Sequence, residues 1–381
     1  MGKTLFEPPP LDPNKSQMEN VLELTPVAVI GPDVFTNTRP LWHPPGARGI
    51  YGGAVIAQSL SAAQLTVNEN FYPHSMHCYF VLAGDSDVPV IYHVERVRDG
   101  RSFATRTVQA RQRGKAIFTA TMSFDRIVDE AERKDKRKLE HASRKPNIKF
   151  PSEKLDDGPL GRLLGHAPLQ AVRDVKITGE PASNPADRSV YHFVRSRPQI
   201  TPEGGAAAHL SAFAYISDSS FIGTVPHVHN VPRFASIDAL KSMLSQLKNP
   251  SDLEHQALED YIRELEDAEA QKERAKEIER TETAANPASR RDKEPKVLGK
   301  EDWETGMVVS LDHTIYFHTR HGFRADEWML VEMYSPWAGE ERGLVIQNAW
   351  TRDGTLIATC VQEGIVRMKQ DQSWNEKKAK L

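Results

Sequence analysis

One strand-like segment near the C-terminus places two polar side chains where an apolar pattern would otherwise run on. The segment "TLIATCVQEGIVRM" spans residues 355–368 and alternates apolar residues on both faces, so we expect a β-strand covered on both sides. Gln362 and Glu363 lie in its middle, one on each face. A buried amide or carboxylate without partners costs about 1–3 kcal/mol. Gln362 therefore needs hydrogen-bond partners or a functional reason to lie in this apolar setting.

The elements around this strand form two similar halves. Residues 18–127 predict one long helix, 52–67, buried nearly all round, followed by an antiparallel meander of four strands. The second half repeats this order, with a helix predicted over 210–225 and four strands after it. We interpret this as an internal duplication in which Met122 occupies the place of Gln362. The duplication therefore does not by itself require a glutamine at position 362.

Composition and charge exclude several classes of protein. The chain has 381 residues, which suggests two domains or one duplicated one. Its net charge of −3 indicates no nucleic-acid partner, and no apolar run predicts a membrane span. Only two cysteines are present, Cys78 and Cys360, and each lies in an apolar strand pattern. We expect buried thiols in a reducing compartment rather than a disulfide framework.

The predicted domain organisation has six parts. A loose N-terminal segment, 1–17, precedes the first repeat, and a charged linker joins the two repeats. An amphipathic helix leading into a disordered loop interrupts the second repeat. A helix that caps its own domain and a helix that binds a partner both remain open for this insertion. The parts are 1–17, the first repeat at 18–127, the linker at 128–187, the second repeat at 188–370 with its insertion at 227–303, and the tail at 371–381.

The polar tail ends in Ala379, Lys380 and Leu381. This tripeptide is a close variant of Ser-Lys-Leu, the C-terminal address read by the peroxisomal import receptor. An ordinary lysine-rich tail is the alternative. We expect localisation to the peroxisomal matrix, with that receptor as a partner.

Several motifs together resemble the type II acyl-CoA thioesterases, in the branch that acts in peroxisomes. The resemblance covers residues 18–127, about 160–226 and 304–368, in the same order in both halves. It implies an α+β double hotdog fold, in which two tandem repeats each wrap an antiparallel sheet around a long central helix. It also implies hydrolysis of fatty acyl-CoA to free acid and CoA without a cofactor. The motifs include "YGGAVIAQSL", "AYISDSSF", "SLDHTIYFH" and "VQEGIVR".

The family's catalytic trio of an Asp, a hydroxyl residue and a Gln falls on Asp218, Ser310 and Gln362. Asp218 would act as the general base or as an acceptor that orients the water, while Ser310 and Gln362 would help to hold the attacking water. By analogy, the backbone N–H groups of Gly52 and Gly53 are candidate oxyanion donors.

Each member of the trio also has a structural interpretation. Asp218 could cap a helix, Ser310 could be an ordinary strand residue, and Gln362 could face a water pocket. The neighbouring Asp312 and His313 are assigned to structure, and an ion pair within the sheet is the expectation for Glu363.

Two other functions keep the same fold. A non-catalytic acyl-CoA-binding or scaffolding protein would be favoured by the loss of Asp218 or Gln362, and both are present. A hotdog enoyl-CoA hydratase would use an Asp/His pair on a loop after a strand, and the sequence shows no such loop motif. The preferred chain length of the acyl group and the oligomeric state stay open, and a homo-oligomer is possible.

Overall fold

The two halves of the chain form one continuous antiparallel sheet in the computed structural model. The structure describes residues 7–44, 47–127, 139–152, 168–172, 182–197, 199–231, 303 and 305–369, with isolated positions between 241 and 274. Within these residues thirteen strands join in a single sheet. The described part of the chain is therefore α+β, as expected.

The first half contains two helices and six strands. The short helix α1 (Gln17–Leu22) starts with a capping box, in which Ser16 and Glu19 hydrogen-bond to each other's backbone N–H. The central helix α2 (Gly52–Gln64) is buried along nearly its whole length. The strands are β1 (Leu24–Pro26), β2 (Val34–Asn37), β3 (Phe71–Phe80), β4 (Ile91–Asp99), β5 (Phe103–Gln112) and β6 (Lys115–Arg126).

The second half contains two described helices and seven strands. Strands β7 (Leu169–Val172) and β8 (Ser189–Ser196) precede its central helix α3 (Gly205–Ser217) and the short helix α4 (Thr224–Val228). The remaining strands are β9 (Thr305–Ser310), β10 (Asp312–Phe317), β11 (Met329–Gly339), β12 (Arg342–Trp350) and β13 (Leu356–Met368).

The helix expected over 210–225 is wrong in its bounds. Helix α3 begins and ends earlier, and the chain turns through Asp218 to Ser220 before α4 starts. Ser220 has a φ of 70°, in the left-handed region where a helix cannot continue. A run of apolar residues on both sides of this turn concealed it in the sequence.

The halves join edge to edge through β3 and β10. His77 pairs with Thr314 in this antiparallel ladder, and Cys78 pairs with His313. The sheet order is β1-β2-β4-β5-β6-β3-β10-β13-β12-β11-β8-β7, with β9 also paired to β13. Both central helices lie against this sheet and pack on each other in antiparallel orientation, with Ser61 Oγ donating to Ser211 Oγ at 3.0 Å.

Strand registers show which residues of the two halves are equivalent. Tyr79 pairs with Thr119 in the first half, and Tyr316 pairs with Thr359 in the second. Each ladder also contains a one-residue irregularity. It lies at His74 in β3 and at Leu311 between β9 and β10, the same number of residues before Tyr79 and Tyr316, respectively. The expected equivalence of Met122 and Gln362 follows from this register.

Strand β13 is covered more fully on one face than on the other. Ala358, Cys360 and Gln362 face the core and are buried. Thr359 and Glu363, on the opposite face, are only half-buried. The expectation that both faces are covered along the whole strand is therefore wrong. The described residues Ile148 and Phe150 pack on the outer face of the sheet against Phe193 of β8, which lies three strands away from β13.

Other expectations meet the structure only in part. Cys78 and Cys360 are free and buried, as expected. In the insertion, isolated positions between 256 and 274 are helical, and Ile262 is buried. Most of 227–303, much of 128–187 and the whole tail at 371–381 lie outside the described residues. The boundaries assigned to these segments stay predictions.

Candidate active site

Asp218 lies where the end of α3 meets the beginning of α2. It is the C-cap residue of α3, and its carboxylate accepts a hydrogen bond from the backbone N–H of Gly53. The start of α2 comes so close that a Cβ on Gly52 would lie 2.7 Å from Asp218 Oδ2. A Cβ on Gly53 would lie 2.3 Å from the carbonyl oxygen of Tyr215. The two glycines are therefore required by the close contact between the halves.

Gln362 contacts Asp218 from strand β13. The Gln362 side chain is fully buried, and its Nε2 donates to Asp218 Oδ1 at 2.8 Å. The same amide nitrogen lies 3.0 Å from Nδ1 of His313, which is also fully buried. Gln362 Oε1 is buried and meets no donor among the described residues. Two residues of the predicted trio, Asp218 and Gln362, are thus joined by a hydrogen bond, and Gln362 Oε1 is left to accept from another group.

His313 extends this network to helix α3. Its Nε2 lies 2.9 Å from Ser217 Oγ, which donates to the carbonyl oxygen of Ala214 at 2.9 Å. The ring also packs edge-on against Phe221, with 5.3 Å between the ring centroids. Nothing in the sequence linked His313 to Gln362, because the two residues are neighbours only through the ladder between β10 and β13.

Burial perturbs both titratable groups of the network. It raises the pKa of Asp218 from 3.8 to about 6, against the hydrogen bonds from Gln362 and Gly53, which favour the carboxylate. Part of the residue stays accessible to solvent, but protein atoms surround the carboxyl group. Burial lowers the pKa of His313 to about 3, so the ring is neutral near pH 7. The site therefore combines a carboxylate with a pKa near neutrality and an uncharged imidazole.

Ser310 lies on the same face of the sheet as Gln362. It is opposite Gly364, two residues beyond Gln362 on β13, and it is half-buried. The irregularity at Leu311 keeps Ser310 and His313 on one face although they are three residues apart. The contacts of the described residues do not include a hydrogen bond from Ser310 Oγ to Asp218 or Gln362. The structure thus places Ser310 beside the pair without joining it to them.

Gly52 and Gly53 were expected as oxyanion donors, and the structure gives Gly53 another contact. Its N–H is directed at the Asp218 carboxylate. The N-terminus of α2 therefore stabilises the ionised form of Asp218.

Glu363 and Asp312 have partners within the sheet, as expected. Glu363 Oε1 accepts from Arg342 Nη1 at 2.8 Å, which confirms the predicted ion pair. Asp312 Oδ1 accepts from the backbone N–H of Glu363 at 2.7 Å. Both contacts lie outside the Asp218–Gln362 network.

The junction at the other ends of the two central helices contains a different carboxylate. A Cβ on Gly204, at the start of α3, would lie 2.8 Å from Oε1 of Glu19. Glu19 accepts from the N–H and the hydroxyl of both Ser16 and Thr201. Although burial acts to raise it, these hydrogen bonds lower the pKa of Glu19 below its usual value. This second carboxylate is fully engaged by the protein itself.

The positions equivalent to the trio are apolar in the first half. Helices α2 and α3 have the same length, so Leu65, the C-cap of α2, corresponds to Asp218. The strand registers place Pro73 at the position of Ser310 and Met122 at that of Gln362. Only the second half therefore supplies polar groups at these positions.

The described residues provide no group of three or more His, Cys, Asp or Glu that could bind a metal ion. No helix in the described ranges is long and apolar enough to cross a membrane.

A fold of two joined antiparallel repeats with central helices is that of the double hotdog proteins. Among solved structures the chain is similar to acyl-CoA thioesterase II TesB2 from Mycobacterium marinum, with a TM-score of 0.58 and 24% identity over 93% of this chain and 98% of that one. This likeness supports the fold.

Sequence comparison then identifies the family. The family model described as acyl-CoA thioesterase C-terminal domain matches residues 150–366, and the model for the N-terminal domain matches 39–125. The chain is 33% identical to acyl-coenzyme A thioesterase 8 of Rattus norvegicus, over 92% of this chain and 88% of the relative. It is 30% identical to peroxisomal acyl-coenzyme A thioester hydrolase 1 of Saccharomyces cerevisiae, over 92% of this chain and 94% of the relative. The protein belongs to the type II acyl-CoA thioesterase family.

Proposed function

We propose that this protein hydrolyses fatty acyl-CoA thioesters to free acid and CoA, using Asp218, Ser310 and Gln362. Membership of the acyl-CoA thioesterase family supports the reaction. The observation that supports the site most directly is the 2.8 Å hydrogen bond between Gln362 Nε2 and Asp218 Oδ1 in a buried setting. A buried amide paired with a carboxylate of raised pKa is typical of a functional site.

Asp218 acts as the general base. A carboxylate with a pKa of about 6 is mostly ionised near pH 7 and still basic enough to accept a proton from water. The water oxygen attacks the thioester carbon while its proton moves to Asp218. The tetrahedral intermediate then collapses, the C–S bond breaks, and the proton passes to the departing CoA sulfur. Water and thioester are thus converted to acid and thiol without a covalent enzyme intermediate.

Gln362 and Ser310 position the water. Gln362 Oε1 is the acceptor left over after the amide nitrogen has paired with Asp218 and His313, so it can accept one hydrogen of the water. Ser310 lies on the same face of the sheet, opposite Gly364 on the neighbouring strand, and its hydroxyl can hold the same water. Positioning of this kind can contribute about 10²-fold to the rate.

The protein is proposed to act in the peroxisomal matrix. The tail ends in Ala379, Lys380 and Leu381, which the import receptor would recognise. The yeast relative is named as a peroxisomal enzyme, which supports the same location.

The test is release of free thiol from a panel of acyl-CoA chain lengths by wild type, Asp218→Asn and Gln362→Met. The matched control is Gln58→Met, which removes a buried glutamine from the first half that hydrogen-bonds to Val21 and Tyr92. We expect the two site variants to lose turnover by at least about 10²-fold with little change in KM, and the control to retain it. Binding of acyl-CoA without thiol release would support a scaffold instead, and hydration of an enoyl-CoA would support a hydratase.

A further inference from the structure

His313 is the one histidine that contacts the proposed catalytic amide among the described residues. Its Nδ1 lies 3.0 Å from Gln362 Nε2, and its Nε2 lies 2.9 Å from Ser217 Oγ. The imidazole and both of these partners are fully buried. No hydrogen bond joins it to Asp218 among the described residues, so any role it has in the reaction would be exerted through Gln362.

The hydrogen-bond chain permits only one tautomer of the ring. A neutral imidazole has one N–H donor and one acceptor nitrogen. Ser217 uses its proton to donate to Ala214, so its oxygen is available to accept from the imidazole. Nε2 of His313 therefore bears the hydrogen, and Nδ1 is the acceptor that faces Gln362. Burial, which lowers the pKa of His313 to about 3, prevents protonation of Nδ1 near pH 7.

This tautomer determines the rotation of the Gln362 amide. The amide nitrogen faces two acceptors, Nδ1 of His313 and Oδ1 of Asp218, and it has one hydrogen for each. Rotating the amide by 180° would place Oε1 against both acceptors and lose both hydrogen bonds. The observed orientation leaves Oε1 as the free acceptor.

The first half shows that the fold does not need this polar pair. Thr314 pairs with Val361 in the antiparallel ladder of β10 and β13, so the next pair along this ladder is His313 and Gln362. In the first half the equivalent pair is Met76 and Met122, both fully buried. The histidine and the glutamine are thus replaced together by two apolar residues, in the half that also lacks the counterpart of Asp218.

We propose that His313 is a positioning residue, which orients the Gln362 amide so that Nε2 donates to Asp218 and Oε1 accepts from the attacking water. This inference rests on the proposed function. It assigns no proton transfer to His313, and Ser217 acts only by selecting the tautomer.

The test compares two amide replacements of His313. His313→Asn places its Oδ1 at the position of Nδ1 and keeps an acceptor for Gln362. His313→Gln extends its amide toward Ser217 and removes that acceptor. We expect kcat to fall about 10- to 100-fold in His313→Gln with KM nearly unchanged, and to recover to within a few-fold of wild type in His313→Asn. Thermal midpoints are measured for both variants.

Ser217→Ala provides a second variant that changes only a small side chain. It frees the ring to adopt the other tautomer, whose Nδ1–H would oppose the Gln362 amide, and we expect kcat to fall several-fold without a change in KM.

Equal kcat values for the Asn and Gln variants, a wild-type kcat for His313→Gln, or losses that only follow the thermal midpoint would overturn the proposal. Asp218→Asn and Gln362→Met are assayed in parallel. If they remain active, the proposed function itself is wrong. If they are inactive while His313→Gln is fully active, only the role of His313 is wrong.

Discussion

Replacement of Asp218 by Asn should lower turnover sharply and stabilise the fold at the same time. The pKa of Asp218 rises from 3.8 to about 6 on folding, because burial disfavours the carboxylate. At 1.36 kcal/mol per pKa unit, ionised Asp218 costs the folded state about 3 kcal/mol at neutral pH. Asparagine has no charge to desolvate, and its Oδ1 can still accept from Gln362 Nε2.

The sign of this effect predicts how it varies with pH. Below about pH 4 the carboxyl group is protonated in the folded and unfolded states, so wild type and Asp218→Asn should be equally stable. As pH rises toward about 6, the unfolded chain ionises first and the wild type loses stability. Above the folded pKa the difference should level off at about 3 kcal/mol in favour of the variant.

Urea unfolding of both proteins at about pH 5 and pH 8 measures the difference. Loss of thioester absorbance over the same range should give a wild-type kcat/KM that rises with pH and levels off above about 6, while Asp218→Asn falls by about 10²- to 10⁴-fold. Asp326→Asn, which removes another buried carboxylate, is the control for turnover. If Asp218→Asn is no more stable than wild type at pH 8, or if wild-type activity is independent of pH, Asp218 is not a buried base.

The remaining predictions concern the other site residues, the C-terminal tail and the insertion. Gln362→Met should destabilise the protein by about 1–3 kcal/mol, because Asp218 and His313 lose a buried donor; adding His313→Met should recover part of this loss in thermal unfolding, and additive losses would argue against a coupled pair. Ser310→Thr should retain most of the turnover because the hydroxyl stays, and a loss as large as in Gln362→Met would show that the added methyl group is not tolerated. Removal of Leu381 should leave the protein in the cytosol with normal activity, and unchanged import on microscopy would contradict the tail as the address. Residues 270–300 should be cut first in limited proteolysis, and their deletion should leave the thermal midpoint unchanged. A lower midpoint would show that these residues belong to the folded core.

The sequence was most informative where a polar residue interrupted an apolar pattern. Gln362 stood out in a strand whose repeat partner is Met122, and the register of the two ladders confirms this equivalence. The resemblance of both halves to one family led to the fold, which the sheet order and the comparisons confirm. Glu363 was correctly assigned to an ion pair, because a charged residue in a strand usually has a partner nearby.

What the sequence did not provide depends on contacts between distant elements. His313 was assigned to structure, because its link to Gln362 requires the register between two strands and the end of a helix at Ser217. The backbone N–H of Gly53 was predicted as a hydrogen-bond donor to the oxyanion. In the structure this N–H is directed at Asp218, across the boundary between the halves. The C-terminal end of the second central helix was predicted too late in the chain, because the turn after the helix is made by polar residues that also occur in helices.

The antiparallel packing of α2 and α3 has a consequence for stoichiometry. Two identical hotdog subunits related by a two-fold axis would present two equal junctions between helix ends, and hence two equal sites. Here one junction contains Asp218 and the other contains Glu19, whose hydrogen bonds are satisfied by Ser16 and Thr201. Titration with a tight-binding, non-hydrolysable acyl-CoA analogue should therefore saturate at one equivalent per polypeptide, and a dimer of this chain should bind two equivalents rather than four.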